Sequence, residues 1–321
     1  MVIKMVEKIS LTKGAIPFVK LLMDNTRKYK VNVLKINEAT VIDCGIEAEG
    51  SIEAGIFFSK ISLGGLAKVQ LQFPQIDNES SLLQVQVCTS HPVLATIGCQ
   101  AASWNVNKGD FFGMVCGPGR ALAQKPSKSY ILLDFKEASD KAILCIESDK
   151  LPSEKIIEYL AEKCQVEKKG IIILMIKTAC LVEYIQMAAR AIELGIFRLV
   201  EQLGYPKERI LHAVGTGIVP PLSIDDNLSN DRVNNGLIYG TKLFLIIKSQ
   251  KDDNLIDLIP KIPSKSSPSF GKRFIDVFNE AGQDFANFDL TLLAPTEIII
   301  NDIRTGKIYH EGKIQLDKII K

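Results

Sequence analysis

The chain has 321 residues, of which 46% are hydrophobic, and its 39 Lys and Arg residues nearly balance its 37 Asp and Glu residues. This composition predicts a folded protein with room for two domains and excludes a disordered chain. The net charge of +2 provides no general basic field, and the longest apolar runs are far shorter than the roughly 20 residues of a transmembrane helix. We therefore expect neither nucleic acid nor a membrane among its partners.

The N-terminal segment and the cysteines predict a cytoplasmic protein. Lys4, Glu7 and Lys8 interrupt the apolar run that a signal peptide requires. The seven cysteines are odd in number and scattered, and no C-x-x-C motif is present. Such a pattern favours reduced thiols over a disulfide framework.

The first half of the chain is predicted to contain mainly strands. Alternation of apolar and polar residues at 83–88 is typical of a half-buried strand, and Pro92 fits the first position of a helix. In chain order, we predict strands or extended segments at 31–34, 40–44, 55–62, 65–73, 83–88 and 110–115, and a helix from Pro92 to about Trp104.

The second half contains the clearest helices. The run 170–176 is apolar throughout, as expected for a strand covered on both faces. Apolar periodicity predicts one long helix over 181–203, which should end at Gly204. In chain order, we predict helices at 154–164, 181–203, 254–259 and 271–281, strands at 170–176, 210–214 and 237–248, loops at 220–235 and 263–268, and a hairpin of 296–301 with 307–310.

This mixture predicts a mixed α/β (α+β) fold made of two α/β domains. A Lys-rich stretch at 165–170 is the best candidate boundary. It gives an N-terminal domain of residues 1–167 and a C-terminal domain of residues 168–321. Alternatively, the C-terminal strands could return to the first domain.

Common nucleotide and metal motifs are missing from the sequence. Gly215-Thr216-Gly217 lacks a third glycine and is soon followed by two prolines, and no P-loop or G-x-S-x-G motif occurs. His91, His212 and His310 are far apart and lack the spacing of zinc ligands. We predict chemistry without a metal or nucleotide cofactor.

The predicted helix at 181–203 carries the most informative residues. Its core stripe consists of Ile185, Ala188, Ile192, Ile196, Leu199 and Leu203. Gln186, Arg190 and Glu193 form a second stripe, in which Arg190 and Glu193 can meet at i, i+3. One interpretation of this second stripe is a solvated helix face with a weak surface salt bridge.

The neighbours of the second stripe argue that it is covered. Val182, Ala189 and Phe197, which border it, are small or apolar. Burial raises the pKa of a carboxyl group, while a neighbouring arginine lowers it. Glu193 could therefore act as a general base or hold a cationic centre.

Two cations that follow glycines are candidate anion contacts. Gly117-Pro118-Gly119 precedes Arg120, and Gly271 precedes Lys272. Glycine allows close approach of the backbone, and both cations suit phosphate or carboxylate groups. The alternatives are a tight turn with a surface arginine and an ordinary solvated lysine.

A family resemblance is carried by motifs along almost the whole chain. They are Asp43-Cys44-Gly45, Glu53-Ala54-Gly55, Gly64-Gly65-Leu66-Ala67, His91-Pro92, Gly117-Pro118-x-Arg120-Ala121-Leu122-Ala123, Gln186 with Arg190 and Glu193, Asn230-Asp231, Tyr239-Gly240, Gly271-Lys272, Ala294-Pro295, Asn301-Asp302 and Thr305-Gly306-Lys307. In their order and spacing, the sequence resembles the methenyltetrahydromethanopterin cyclohydrolases, enzymes of one-carbon metabolism on methanopterin carriers.

The resemblance implies an activity and an assembly. The activity is the reversible hydrolysis of a cyclic methenyl cation to the 5-formyl carrier, without a metal or nucleotide. The assembly is a cytoplasmic homotrimer, whose chains have two α/β domains with a pocket between them.

The resemblance also implies site residues. The family's catalytic carboxylate and its arginine partner correspond to Glu193 and Arg190. Gln186, Gly117 and His91 are then candidate contacts to the pterin substrate. Arg120 and Lys272, from their charge and glycine context, are candidate contacts to anionic groups of the carrier's tail.

The sequence departs from the family pattern at three places. The family tends to have Pro-Thr-Ala-Ser followed by Gly-Ser, where this chain has Lys177-Thr178-Ala179-Cys180 followed by Glu183-Tyr184. The usual Ser-Gly-Pro-Ala-Arg is Cys116-Gly117-Pro118-Gly119-Arg120 in this chain. The Glu183-Tyr184 change leaves open a hydrolase of another cyclic amidine. A non-catalytic pterin-binding paralogue is the other alternative, although Arg190 and Glu193 are both retained.

Overall fold

The computed structural model of the chain describes residues 8–75 and 81–319. Lys4 and Glu7, which we used in predicting the absence of a signal peptide, lie outside the described residues. Within the described ranges, no helix is both long enough and apolar enough to cross a bilayer.

Twelve strands in the described ranges form two six-stranded sheets. The strands are β1 (Asn32–Ile36), β2 (Ala39–Asp43), β3 (Ala67–Gln72), β4 (Gln84–Thr89), β5 (Trp104–Lys108), β6 (Phe111–Cys116), β7 (Ala142–Glu147), β8 (Ile171–Ile176), β9 (Ile210–Ile218), β10 (Thr241–Ile247), β11 (Glu297–Asp302) and β12 (Lys307–Gly312). The first sheet has the order β1-β2-β8-β7-β6-β5, and the second has the order β12-β11-β10-β9-β4-β3.

Both sheets are mixed, which confirms the predicted α/β class. In the first sheet β2, β8 and β7 run parallel, and the outer pairs are antiparallel. In the second sheet only β10 and β11 are parallel neighbours.

Twelve α-helices in the same ranges surround these sheets. They are α1 (Leu11–Asp24), α2 (Thr26–Tyr29), α3 (Ile52–Ser62), α4 (Pro92–Ala95), α5 (Gly119–Ala123), α6 (Ser127–Leu133), α7 (Glu154–Cys164), α8 (Leu181–Ala188), α9 (Ala191–Ile196), α10 (Asp226–Gly240), α11 (Leu255–Leu258) and α12 (Phe274–Glu280). π-helical turns follow α4 at Thr96–Gln100 and α9 at Phe197–Gln202.

A layer of helices lies between the two sheets. Helices α1 and α3 cover one face of the first sheet, and α7 covers the other face. Helices α8 and α9 cover one face of the second sheet. Gly55 of α3 lies directly against Ile185 of α8, so the helical coverings of the two sheets pack on each other. This middle layer contains the predicted catalytic helix.

The central strand β8 shows why its sequence is continuously apolar. Leu174 and Ile176 pack into the core on the α1–α3 side, whereas Ile171, Ile173 and Met175 pack into the core on the α7 side. A strand buried on both faces needs apolar residues at every position. The prediction made for 170–176 is confirmed.

Several other predicted elements are confirmed. The strand at 110–115 and the helix at 154–164 occur as β6 and α7, and the C-terminal hairpin occurs as β11 and β12. All six residues of the predicted core stripe on the 181–203 segment pack in the core of the second sheet.

Several predictions of secondary structure are wrong, among them the strand at 237–248, whose first four residues belong to helix α10. Residues 55–62 belong to helix α3, which Ser51 caps by accepting a hydrogen bond from the Ala54 amide. Part of the predicted loop at 220–235 belongs to helix α10. The polar residues Asp231, Asn234 and Asn235 gave this segment a loop-like composition, although they are buried in the helix. Trp104 does not end a helix but begins strand β5.

The predicted boundary after residue 167 does not separate the two sheets. Strand β8 from the second half lies between β2 and β7, and strands β3 and β4 from the first half complete the second sheet. The C-terminal strands β10 to β12 lie in the second sheet together with β3 and β4 of the first half. Strand pairing between distant segments therefore links the two halves of the chain.

Candidate active site

The predicted long helix at 181–203 is broken at Ala189 and Arg190, between α8 and α9. Both residues have ψ angles near zero (2° and 4°), outside the α-helical range. The side-chain amide of Gln100 donates a hydrogen bond of 3.3 Å to the carbonyl oxygen of Ala189. The single helix is therefore a wrong prediction, and the break lies at the candidate catalytic arginine.

Arg190 is held by residues from three parts of the chain. Its Nε donates to Oε1 of Gln186 at 3.1 Å, and its Nη1 donates to the backbone oxygen of Gln100 at 3.1 Å. Its Nη2 lies 4.0 Å from the sulfur of Cys116, at the end of β6. Only 7% of Arg190 is exposed. Since α8 and α9 cover the second sheet and Cys116 belongs to the first, the guanidinium bridges the two.

Glu193 pairs with Arg190 as the sequence predicted. Its Oε2 lies 3.5 Å from Nη1 of Arg190, and 14% of its side chain is exposed. Burial raises the pKa of Glu193, and the charges of Arg190 and Arg120 oppose that rise. The interpretation as a solvated surface pair is excluded, because both partners are largely removed from water.

A further carboxylate, Glu183, continues the polar stripe one turn earlier on α8. Its Oε2 accepts a hydrogen bond of 2.6 Å from Nε2 of Gln186. Burial, followed by the charge of Glu147, raises the pKa of Glu183 well above its usual range, whereas Gln186 and Arg190 lower it. Glu183 therefore belongs to the same buried group.

Glu147 at the end of β7 is the third carboxylate of this group. Its Oε1 accepts a hydrogen bond of 3.0 Å from the hydroxyl of Thr178. Burial raises the pKa of Glu147, while Thr178 and Arg190 lower it. One guanidinium thus acts on three carboxyl groups, so the described site has more acidic than basic side chains around Arg190.

Cys116 is a thiol beside the guanidinium. A hydrogen bond from Cys145 lowers the pKa of Cys116, burial opposes this effect, and the charges of Arg190 and Arg120 lower it further. Gln100 contributes a different feature, because its Oε1 is buried and has no hydrogen-bond partner among the described residues. A buried acceptor of this kind beside Arg190 suits a donor from water or substrate.

Arg120 does not have the role expected of it. The residue is fully buried, at 0% exposed. Its guanidinium donates to the carbonyl oxygens of Lys125, Ile97 and Cys99 and to the hydroxyl of Ser103. Its donors are thus committed to the protein, which contradicts the prediction of an anion contact. Arg120 still acts on the site through its charge.

The neighbouring Gly117 has a backbone conformation and a close packing contact that favour glycine. It has a φ angle of +97°, and a Cβ there would approach the backbone of β7 at Ile143 and Cys145 to 3.2 Å. The sequence correctly indicated a close approach of the backbone, but the approach seen here is to a strand.

Lys272 and His91 lie at the surface. Lys272 pairs with Glu280 at 2.8 Å just before α12, and His91 precedes the first residue of α4. Within the part of the chain that the structure describes, neither residue forms a hydrogen bond or ion pair with Arg190 or Glu193. Of the site residues predicted from sequence, the structure therefore brings together Gln186, Arg190 and Glu193.

A cavity of about 500 Å³ lies beside the beginning of α8. Leu181 and Tyr184 line it from the helix and Cys180 from the N-cap position, while Leu222, Ser223 and Ile224 line it from the loop before α10. Tyr184 directly follows Glu183, so the cavity and the buried carboxyl group lie on adjacent positions of α8. Within the described parts of the chain, no group of three or more His, Cys, Asp or Glu side chains is arranged to hold a metal ion.

Sequence reasoning did not assign four members of the site, namely Glu183, Glu147, Gln100 and Cys116. Glu183 lies three residues before Gln186 and extends the polar stripe, so the same periodicity could have found it. Glu147 and Gln100 carry no comparable signal, because they come from a strand end and a π-helical turn far from Arg190 in sequence.

This geometry defines a class of protein. A largely buried carboxyl group with a raised pKa, held against a guanidinium, is typical of enzymes that transfer protons. The helical layer between the two sheets holds this pair.

The comparisons with known proteins give the family. Residues 10–321 match the sequence model of the family described as Cyclohydrolase (MCH). The chain is 38% identical to the methenyltetrahydromethanopterin cyclohydrolase of Methanococcus maripaludis strain C5 and 37% identical to that of Methanocaldococcus jannaschii, in each case over 98% of both chains. It is 35% identical to the protein of the same name from Methanothermobacter marburgensis, over 91% of this chain and 92% of the relative. The chain belongs to this cyclohydrolase family.

Proposed function

We propose that this chain catalyses the reversible hydrolysis of the cyclic methenyl cation of tetrahydromethanopterin to the 5-formyl form of the carrier. The observation that carries the proposal is the largely buried pair of Arg190 and Glu193, 3.5 Å apart. The names of the relatives supply the substrate class.

The residue chemistry suits this reaction. The methenyl carbon lies between two nitrogens that share a positive charge, so it is an electrophile that water can attack. Glu193 orients the water and accepts its proton as the carbon–oxygen bond forms. It then returns this proton to the departing nitrogen as the carbon–nitrogen bond breaks, and the hydroxyl proton of the intermediate leaves to solvent as the formyl C=O forms, so that hydrolysis releases one proton. Burial makes Glu193 a stronger base than an exposed glutamate, and Arg190 keeps it from holding its proton too tightly.

Arg190 and Gln100 complete this arrangement. Arg190 fixes the carboxylate through its ion pair, and its own position is fixed by Gln186 and by the backbone of Gln100. The unpartnered Oε1 of Gln100 offers an acceptor to the attacking water. The reaction needs no metal or nucleotide in this scheme, because the substrate already carries the positive charge.

The test is a spectrophotometric assay that follows loss of the methenyl chromophore. We expect turnover by the wild-type protein, and a decrease of about 100-fold or more in kcat for Glu193→Gln, the scale expected when a general base is lost. The dissociation constant of the carrier should change by less than about threefold, since the amide keeps the shape of the carboxylate. Glu208→Gln, at an exposed glutamate, is the control and should retain wild-type kcat.

Two outcomes would favour the alternatives. Binding of the methenyl carrier without turnover by the wild-type protein would indicate a non-catalytic pterin-binding paralogue. Turnover of methenyl-tetrahydrofolate but not of the methanopterin carrier would indicate a hydrolase of another cyclic amidine. Normal turnover by Glu193→Gln would refute the assigned role of Glu193.

The substrate contacts and the assembly are also proposals. Gln186 would touch the substrate through the site that it shares with Arg190, and Gly117, His91 and Lys272 would do so if the carrier extends to them. We further propose a cytoplasmic homotrimer, an assembly that the family resemblance implies. All seven cysteines are free thiols, which suits a reducing compartment.

A further inference from the structure

The hydrogen bonds around Arg190 form a chain that extends beyond the catalytic pair. Glu183 accepts from Gln186 at 2.6 Å, Gln186 accepts from Nε of Arg190 at 3.1 Å, and Arg190 pairs with Glu193 at 3.5 Å. Glu183 is 1% exposed and Gln186 is 2% exposed. Water therefore cannot easily replace a missing partner in this part of the chain.

The guanidinium of Arg190 and the charge of Glu183 together set the polarity of this chain of hydrogen bonds. An ionised carboxylate can only accept hydrogen bonds, and a guanidinium can only donate them. The Gln186 amide between them can do both, but only one of its two orientations satisfies both neighbours. Its NH₂ must face Glu183, which leaves its oxygen for Nε of Arg190. In the opposite orientation the NH₂ of Gln186 would face the Nε–H of Arg190, which is also a donor, and its oxygen would face the carboxylate of Glu183, which is also an acceptor.

Protonation of Glu183 would weaken this constraint. A carboxylic acid has a hydroxyl that can donate to the oxygen of Gln186, besides an oxygen that can accept. Only Arg190 would then oppose rotation of the amide, because a rotated amide leaves its Nε without an acceptor. The ionised form of Glu183 therefore holds the orientation of Gln186 most firmly.

The surroundings of Glu183 determine the pH range in which it ionises. Glu147 faces it from the end of β7, Cys116 from the end of β6 and Arg190 from the start of α9. The sulfur of Cys180 accepts a hydrogen bond of 3.4 Å from the backbone amide of Glu183. Because burial and Glu147 dominate, the pKa of Glu183 is raised, so the group titrates above the usual range of carboxyl groups.

We propose that Glu183 is a positioning residue, which acts through Gln186 to hold the guanidinium of Arg190 against Glu193. The inference rests on the proposed function only where turnover is the readout. It assigns a role to a residue at which this chain departs from the pattern that it otherwise resembles. It also predicts that two carboxyl groups, Glu183 and Glu193, must be ionised for full activity.

The kinetic test uses Glu183→Gln, which keeps the size of the side chain but can both donate and accept. We expect kcat to decrease about 10-fold, as for the loss of one hydrogen bond to a charged group, with KM changed by less than about threefold. The acid limb of the wild-type kcat profile should reflect two protons, and that of the variant only one. Wild-type kcat together with an unchanged two-proton limb would overturn the proposal.

A matched control separates orientation from simple loss of charge. Glu201→Gln removes a partly buried carboxylate that bonds to Ser129 at 3.2 Å and has no contact with Gln186 among the described hydrogen bonds. This control should retain the two-proton acid limb. If it loses one proton as Glu183→Gln does, the effect is electrostatic and the proposed role through Gln186 is wrong.

A double-mutant cycle tests the route through Gln186. If Glu183 acts through that amide, Glu183→Gln should have no further effect on kcat in a Gln186→Ala background. Additive losses in kcat would mean an independent structural role and would contradict the inference. Thermal unfolding of each variant identifies any loss that is due to misfolding.

A readout without turnover keeps this test independent of the proposed function. In protein labelled with ¹⁵N at arginine, the Nε–H group of Arg190 should give one signal protected from exchange at neutral pH. In Glu183→Gln the same signal should broaden or exchange faster, and the wild-type signal should do so on acidification. A protected signal in the variant would refute the positioning role. An absence of wild-type turnover would instead refute the proposed function.

Discussion

Arg190 divides its donors among acceptors that are remote from one another in sequence. Nε binds Gln186, Nη1 faces both the Gln100 carbonyl and Glu193, and Nη2 faces Cys116. A planar guanidinium suits such a set because its donors point in fixed directions. The lysine ammonium is a point charge and would satisfy fewer of these acceptors. Charge and geometry at this position can therefore be separated by substitution.

We expect Arg190→Lys and Arg190→Gln to differ in pH dependence more than in rate. Both should lower kcat/KM by about 10- to 100-fold, because both lose hydrogen bonds to charged or buried groups. Arg190 lowers the pKa of Glu193, so removing its charge should raise that pKa. The base must be ionised, and the acid limb of the kcat/KM profile should therefore move to higher pH in Arg190→Gln.

The lysine variant is the control for charge in this prediction. Its acid limb should move less than that of Arg190→Gln, since an ammonium still opposes protonation of Glu193. The measurement is the pH profile of kcat/KM for the three proteins. Equal shifts in both variants, or a shift to lower pH, would contradict the assigned electrostatics.

At the scale of elements, strand β9 determines where the catalytic segment lies. Gly215 contacts Ile192 and Ala191 of α9, and Gly217 lies against the backbone of Ala188 at the end of α8. The break between the two helices is thus seated on a stretch of β9 that has no side chains at these positions. The motif Gly215-Thr216-Gly217, examined in the sequence for nucleotide binding, has a packing role.

Gly217→Ala should disturb the site from this strand. A Cβ there would overlap the carbonyl group of Ala188, which is backbone and cannot rotate away. We expect a loss of about 1–3 kcal/mol in the free energy of unfolding, the usual cost of overpacking, together with reduced kcat. Urea denaturation and the methenyl assay measure the two effects.

Gly236→Ala is the matched control for this substitution. Its nearest neighbours would lie 3.4 Å from the new Cβ, an ordinary contact, and Gly236 is inside helix α10. Alanine favours a helix interior by up to about 1 kcal/mol over glycine, so stability should be unchanged or higher. Equal stability of the two variants would show that the packing of β9 on α8 is looser than described.

At the scale of the whole molecule, the two sheets exchange strands between the halves of the chain. Strand β8 is central in the first sheet, although it follows the predicted domain boundary, and β3 and β4 belong to the second sheet although they precede it. Neither half of the sequence contains a complete sheet. The middle layer of helices, with Arg190 reaching Cys116, joins them further.

Fragments cut at residue 167 should not fold alone. The fragment 1–167 lacks β8 and would leave β2 and β7 without their shared neighbour, and 168–321 lacks β3 and β4. Each fragment would expose apolar strand faces that are buried in the intact chain. We expect neither fragment to show a cooperative thermal transition by circular dichroism, in contrast to the full chain. A cooperative transition in either fragment would support the boundary predicted from sequence.

The sequence by itself determined features that depend on near neighbours. Helical periodicity gave the core stripe on 181–203 and the meeting of Arg190 with Glu193, because residues three and four apart share a helix face. The continuous apolar run gave the buried strand β8. The ordered motifs gave the family, since their order and spacing extend along the whole chain.

The tertiary structure alone decided what lies opposite these residues. Gln100 is 90 positions from Arg190, and Cys116 is 74 positions away, so no local pattern predicts either contact. The burial of Arg120 among backbone carbonyls and the crossing of β3, β4 and β8 between sheets were equally hidden. Periodicity predicts which face of an element is buried, but the partner that covers this face depends on packing between segments far apart in the chain.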